Sequence, residues 1–142
     1  MSDFTKLEDV LNFKGNRIIT KRIEPYDVIE SAKKFYDVTD YTFTGRNKFE
    51  ILDNFLTELN SLKVAGMGLY MKNVNKFYLL KIKENPENKT NIELLHSLLI
   101  SKEYGFSEDE QINKQGIEYS TNTDYALEQI DMGKAEASFI LI

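Results

Sequence analysis

The sequence predicts an α+β domain, with helices packed on a mixed, mainly antiparallel sheet. Two observations predict it. Segments that alternate with a period of two are interleaved with segments of helical period, and two adjacent strands are joined by one short loop. The 142 residues are 42% hydrophobic and 29% charged, which suits one globular domain with a real core.

The chain is divided into residues 1–15, predicted to be a leader or linker helix, and residues 16–142, predicted to be a single α+β domain. The helix is indicated by the spacing of Phe4, Leu7, Val10 and Leu11. A strand is expected over 17–23, and Pro25 suits the first turn of the amphipathic helix that follows.

The next strand is expected over 38–43, where β-branched and aromatic residues alternate with polar ones. Asn47 and Glu50 then have the spacing of a capping box. The helix after them should bury one apolar stripe, made of Phe49, Leu52, Phe55, Leu56, Leu59 and Leu62.

Residues 64–71 and 76–83 are predicted as two strands of a hairpin, with 72–75 as the loop. The second strand is apolar on both faces, which predicts a central strand covered by helices. Gly66 and Gly68 resemble the start of a phosphate-binding loop, but a strand entering a hairpin is the wrong context. A close backbone approach is the simpler explanation.

A helix over 92–100, capped by Thr90 or Asn91, is apolar nearly all round and should be deeply buried. Ser107 is expected to cap a short helix, and a strand over 117–120 follows. After a helix that ends at Gly133, residues 135–142 form a last strand that should be inserted in the sheet. Because this strand ends the chain without a polar tail, the chain is expected to be a fragment of a longer protein.

The element order from 38 to 120 is strand, helix, strand, strand, helix, strand, which is the ferredoxin-like order. A single sheet with helices largely on one side is the architecture expected from it.

Composition and charge narrow the classes of function. The net charge is −5, and lysines and arginines are scattered among carboxylates, which argues against a nucleic-acid binder. There is no cysteine, so disulfides and thiolate catalysis are excluded. The sequence has no long apolar run and no secretory signal, so we expect a cytoplasmic protein that does not span a membrane. No cofactor is predicted.

The candidate residues for binding or catalysis are Lys21, Arg22 and His96. His96 is the single histidine and falls in the apolar arc of its helix, where a hydrogen-bonded core residue is the simplest interpretation. Catalysis by histidine needs an orienting acid or a nucleophile, and none can be named. We therefore expect a module without its own catalytic site that packs against a partner domain. In the alternative, Lys21, Arg22 and His96 line an anion or nucleotide pocket of an enzyme or phosphometabolite-binding protein, completed by a missing N-terminal domain.

From residue 17 onward, the order of landmarks resembles the C-terminal half of a prokaryotic family known as domain of unknown function 1015. The segments that carry the resemblance are 18–22, 66–70, 76–81, 95–100, 117–119 and 137–141, with Ala126 and Gly133. Lys21 departs from the family, which usually has a histidine there, and Asn91 stands where an acidic residue is common. The resemblance implies a fold partner, the missing N-terminal half, and it implies no reaction. Self-association is the other partnership that we expect of this chain.

Overall fold

The computed structural model describes residues 4–141, and six strands in this range pair into one open sheet. The strands are β1 (Asn16–Ile19), β2 (Tyr36–Thr42), β3 (Gly66–Met71), β4 (Lys76–Ile82), β5 (Ile117–Ser120) and β6 (Ala137–Ile140). Their order across the sheet is β2-β4-β3-β6-β1-β5. Every pairing is antiparallel, which confirms the predicted α+β class.

Six α-helices in the same range pack on this sheet. They are α1 (Leu7–Asn12), α2 (Pro25–Lys33), α3 (Lys48–Asn60), α4 (Asn91–Leu94), α5 (Glu108–Ile112) and α6 (Thr123–Asp131). The helix that α4 begins continues directly as a π-helix, Leu95–Glu103. The sequence predicted an ordinary helix there.

The predicted element order is confirmed, but the sheet is not a ferredoxin-like sheet. Strands β2 and β3 flank β4, and β5 and β6 flank β1, so the fold contains two split strand–helix–strand units. In a ferredoxin-like sheet β5 would pair with β2. Here β5 pairs with β1 at the opposite edge, because β6 and β1 are inserted between β3 and β5.

The prediction that helices lie largely on one side of the sheet is wrong. One face, the π-helix face, is covered by α2 and the π-helix, whose buried residues include Val28, Ala32, Leu95 and Leu99. The other, the α3–α6 face, is covered by α3 and α6 through Phe55, Leu59, Ala126, Leu127 and Ile130. Strands apolar on both faces need this double cover.

Two central strands show the double cover directly. On β4, Tyr78 and Leu80 face the π-helix while Phe77 faces α3 and α6, as predicted. On β6, Phe139 and Ile140 are buried on opposite faces. The predicted insertion of the last strand is therefore confirmed for Ala137–Ile140, and the prediction for Ile142 lies outside the described residues.

The predicted caps have different outcomes. Thr90 Oγ1 accepts from Glu93 N, and Ser107 Oγ accepts from Glu110 N, so both form capping boxes. Asn47 does sit before α3, but its Oδ1 accepts from Thr44 N at 2.6 Å instead of capping the helix. The sequence pattern predicted that Asn47 caps α3. Its side chain instead forms its hydrogen bond within the loop before the helix.

Gly66 and Gly68 on β3 mark a close approach, which confirms the sequence interpretation. A Cβ atom on Gly66 would lie 2.8 Å from Leu80 O, and one on Gly68 would overlap the Phe55 ring. Glycine at these two positions therefore allows α3, with its Phe55 ring, to pack closely against the sheet.

We expect Gly68→Ala to lower the free energy of unfolding by about 1–3 kcal/mol, because the new methyl group displaces the Phe55 ring. Gly45→Ala is the matched control, since a Cβ atom there meets nothing within 4 Å, and it should change stability by less than about 0.5 kcal/mol. Urea unfolding measures both, and equal stabilities for the two variants would contradict the close approach.

Candidate functional site

The single histidine belongs to a buried polar network on the π-helix face. His96 is 2% exposed. Its Nε2 accepts a hydrogen bond from Arg17 Nε at 2.9 Å, because a guanidinium can only donate. Its Nδ1 lies 2.7 Å from Gln111 Oε1 and donates to it. The ring is therefore neutral, with its proton on Nδ1.

Arg17 is the centre of this network and is fully buried. It donates to three backbone carbonyl oxygens at 2.7–2.8 Å, those of Val10, Phe13 and Gly15. Its guanidinium carbon lies 5.2 Å from the centre of the Tyr119 ring. No ion pair in residues 4–141 involves Arg17, so carbonyl dipoles, aromatic faces and a neutral imidazole surround its charge.

The π-helix brings two of its side chains to one glutamine. Tyr104 N donates to Leu99 O at 2.8 Å, which is the i→i−5 bond of a π-turn. This winding aligns residues one π-turn apart, so His96 and Ser101 both reach Gln111, and Gln111 Nε2 donates to Ser101 Oγ at 3.0 Å. An α-helix would turn these two side chains to different faces.

The electrostatics follow from burial. Burial, and then the charge of Arg17, lower the pKa of His96 to about 4. Burial likewise lowers the pKa of Arg17 to about 10, so the guanidinium remains charged at neutral pH. Burial also raises the pKa of Tyr119 to about 12. At pH 7 the network therefore contains one positive charge, on Arg17.

This arrangement holds elements together and leaves little capacity for chemistry. Both ring nitrogens of His96 are engaged, so the imidazole has no free lone pair for a metal or a proton. Within residues 4–141, no three histidine, aspartate or glutamate side chains are grouped as a metal ion would require. The hydrogen bonds of the network connect α1, β1, the π-helix and α5.

The structure does not bring Lys21 and Arg22 to His96. Lys21 Nζ donates to Tyr104 O at 3.3 Å and lies over the Phe106 ring, so it covers the C-terminal end of the π-helix. The Arg22 side chain is 89% exposed and makes a long ion pair with Glu24.

Lys21 and Arg22 do share a cleft of about 410 Å³, but His96 does not line it. Lys34 also lines the cleft, and three carboxylates balance the three cations: Asp27, Glu30 and Glu103. Balanced charge gives the cleft no preference for an anion. An anion- or partner-binding role for Lys21, Arg22 and His96 stays a prediction.

Sequence reasoning missed Arg17 as the partner of His96. The available signal was a cation between the turn at Gly15 and the apolar pair Ile18 and Ile19. A charged residue at the start of a short strand is ordinarily exposed, and this one is buried among α1, the π-helix and the neighbouring strand β5.

Comparison with known proteins adds no relationship. No protein family, curated protein or solved structure matches the chain. None of the helices within residues 4–141 has the length and apolar character needed to cross a membrane. Any function assigned to the chain therefore rests on the fold and on the geometry of its side chains.

We expect Arg17→Met to lower the free energy of unfolding by more than about 3 kcal/mol, because three backbone carbonyls, two of them in buried hydrogen bonds, and His96 lose their donor. Arg22→Met is the matched control, since the Arg22 side chain is exposed, and should change stability by less than about 0.5 kcal/mol. Urea unfolding at neutral pH compares them. A similar loss in both variants would mean that the buried network contributes nothing special.

His96 makes stability depend on pH in a predictable direction. Its pKa is lowered to about 4 in the folded chain and is about 6.5 when unfolded, so the unfolded chain binds more protons between these values. Its contribution is complete above about pH 6.5 and is lost as the pH falls toward 4. Between about pH 7 and pH 4.5, wild type should lose about 2–3 kcal/mol more than His96→Gln.

Urea unfolding of both chains at the two pH values tests this. Glu93, Glu103 and Glu110 also have lowered pKa values and lose their contributions in acid, but they do so equally in both chains. Equal losses in wild type and His96→Gln would contradict a buried neutral imidazole.

Proposed function

We propose that this chain is a non-catalytic module that binds a partner through a surface where α3 begins and α6 ends. The observation that carries the proposal is a pair of exposed apolar side chains at these two helix ends, Phe49 at 80% and Met132 at 53%. We call the surface formed by Lys48, Phe49, Asp131 and Met132 the Phe49–Met132 patch. The sequence pattern had placed Phe49 in the buried stripe of α3.

An ion pair joins the two helix ends of this patch. Lys48 Nζ lies 2.6 Å from Asp131 Oδ2, and the other oxygen of Asp131 accepts from the Tyr70 hydroxyl. Lys48 Nζ also lies 5.0 Å from the centre of the Tyr70 ring. Phe49 and Met132 directly follow the ion-paired residues in the chain, so both project from helix ends that are already fixed. Helix ends held in this way need little rearrangement when a partner covers them.

The composition of the patch suits a protein partner. Aromatic residues and methionine are enriched in the cores of protein interfaces. The patch also contains one cation and one anion that neutralise each other, so two copies of it can meet about a two-fold axis without charge repulsion. A second copy of the chain is therefore the partner we favour.

Two further points support a module without its own catalytic site. His96 is engaged on both ring nitrogens inside the core, and it is not joined to Lys21 or Arg22. The resemblance to the C-terminal half of the domain of unknown function 1015 family belongs to the same proposal. It implies a fold partner in the form of an N-terminal half. Placement in the cytoplasm is a separate part of the proposal.

Sedimentation velocity over a range of concentrations tests the proposal. We expect wild type to dimerise as concentration rises, and Phe49→Ser/Met132→Ser to remain monomeric, because the apolar contact area is gone. The matched control is Tyr26→Ser/Val64→Ser, which removes an aromatic and an aliphatic side chain exposed at 72% and 48% elsewhere. That control should dimerise like wild type.

Two results would overturn the assignment of this patch. One is a wild-type chain that remains monomeric at every concentration, and the other is equal weakening by both double substitutions. The second result would indicate association through general surface hydrophobicity instead of through α3 and α6.

A further inference from the structure

We propose that a cleft beside the loop from β4 to α4 binds a phosphate-containing small molecule through three lysines. The cleft has a volume of about 550 Å³, within the range of small-molecule sites. Lys63, Lys83 and Lys89 line it, and no carboxylate does. In a chain with a net charge of −5, this is a local concentration of positive charge that the overall balance conceals.

The charges of these lysines are poorly neutralised by the protein. Lys63 makes no hydrogen bond or ion pair in the part of the chain that the structure describes. Lys83 Nζ donates to the uncharged carbonyl oxygen of Lys33 at 2.7 Å. Lys89 has only a long ion pair, 3.8 Å, with the exposed carboxylate of Glu87. Exposed pairs of this kind contribute little.

The nearby carboxylates do not line this cleft. Glu84 and Glu87 line a neighbouring cleft, which shares Lys83 and Lys89 with this one. Glu93 Oε1 accepts from Thr90 N at 3.0 Å as part of the helix cap. An anion in the lysine cleft would therefore meet positive charge without an opposing carboxylate in its lining.

The cleft wall is preorganised by the loop. Asn85 Nδ2 donates to Lys89 O, and Asn85 Oδ1 accepts from Lys89 N, both at 2.9 Å, which clamps the loop. Asn88 and Asn91 also line the cleft, and neither side-chain amide makes a hydrogen bond within residues 4–141. Their N–H groups are available to a ligand oxygen, as are the ammonium groups.

The lining indicates the class of ligand. Lysine ammonium groups act as point charges for phosphate, and amides add directional donors to its oxygens. Val64, 48% exposed, gives the cleft one apolar wall for an organic part. A compound with one or more phosphate groups fits these features. The lysine cleft shares no residue with the Phe49–Met132 patch, so either proposal can fail alone.

The test is a titration of the isotope-labelled full chain with inorganic pyrophosphate at low salt, followed by amide chemical shifts. We expect saturable shifts confined to residues 63–65 and 82–91. Lys63→Gln/Lys89→Gln should raise Kd at least about tenfold, because charge-assisted hydrogen bonds are lost. The matched control, Lys114→Gln/Lys134→Gln, removes the same charge elsewhere and should leave Kd unchanged.

Lys63→Gln alone guards against misfolding, since Lys63 contacts no polar partner in the described residues, and it too should weaken binding. Shifts that do not saturate, that spread over the surface, or that respond equally to both double substitutions would overturn the proposal. So would binding to vesicles containing phosphatidic acid without binding to pyrophosphate, because that result assigns the lysines to a lipid surface.

Discussion

The buried charge of Arg17 is the constraint on which the rest of the structure depends. Removing a guanidinium from water is costly unless other groups replace its hydration. Here the replacement comes from backbone carbonyls of α1 and the following turn, together with His96. The C-terminal end of a helix carries partial negative charge, so the end of α1 suits a cation that lacks a carboxylate. Residues that the sequence marked as a leader or linker thus contribute the main acceptors for a core charge. The boundary between residues 15 and 16 stays a prediction, but the packing of α1 and the burial of Arg17 are inseparable.

The same charge determines the state of the histidine. Because Arg17 occupies Nε2 as a donor, the ring proton must be on Nδ1, and an acceptor is needed there. Gln111 provides it, and its own amide group then needs acceptors, which are Ser101 Oγ and Phe106 O. His96 and Ser101 can serve the same glutamine only if the helix is wound as a π-helix. A rare backbone geometry is thereby explained by a chain of hydrogen bonds that begins at one buried cation.

How much could be predicted from the sequence depends on the range of the interaction. The caps at Thr90 and Ser107 and the two-faced burial of β4 are local patterns, and they were predicted correctly. The sequence predicted that β6 is inserted in the sheet, but not that its neighbours are β3 and β1, because strand order depends on pairings between distant residues. The π-helix was not predicted, because the apolar residues of this segment are equally typical of a buried α-helix. Arg17 was missed because its acceptors near in sequence are backbone carbonyls, which no residue pattern reveals, and its side-chain partner His96 lies on a distant helix.

The division between a sealed polar core and an open surface bears on function. The group most suggestive of chemistry, His96, is committed to the core, where its neighbours hold it neutral and exclude ligands. Groups on the surface are not committed in this way: the Lys63 ammonium has no partner in the described residues, and Phe49 projects into solvent. An unneutralised cation in a cleft and an apolar ring on a fixed helix end both leave free energy to be gained by binding. Net charge argued against a nucleic-acid binder, and residue type singled out Lys21, Arg22 and His96, but both average over these local differences. Recognition depends on the local potential and on which side chains are left unsatisfied, so the surface is where the function of this chain should be sought.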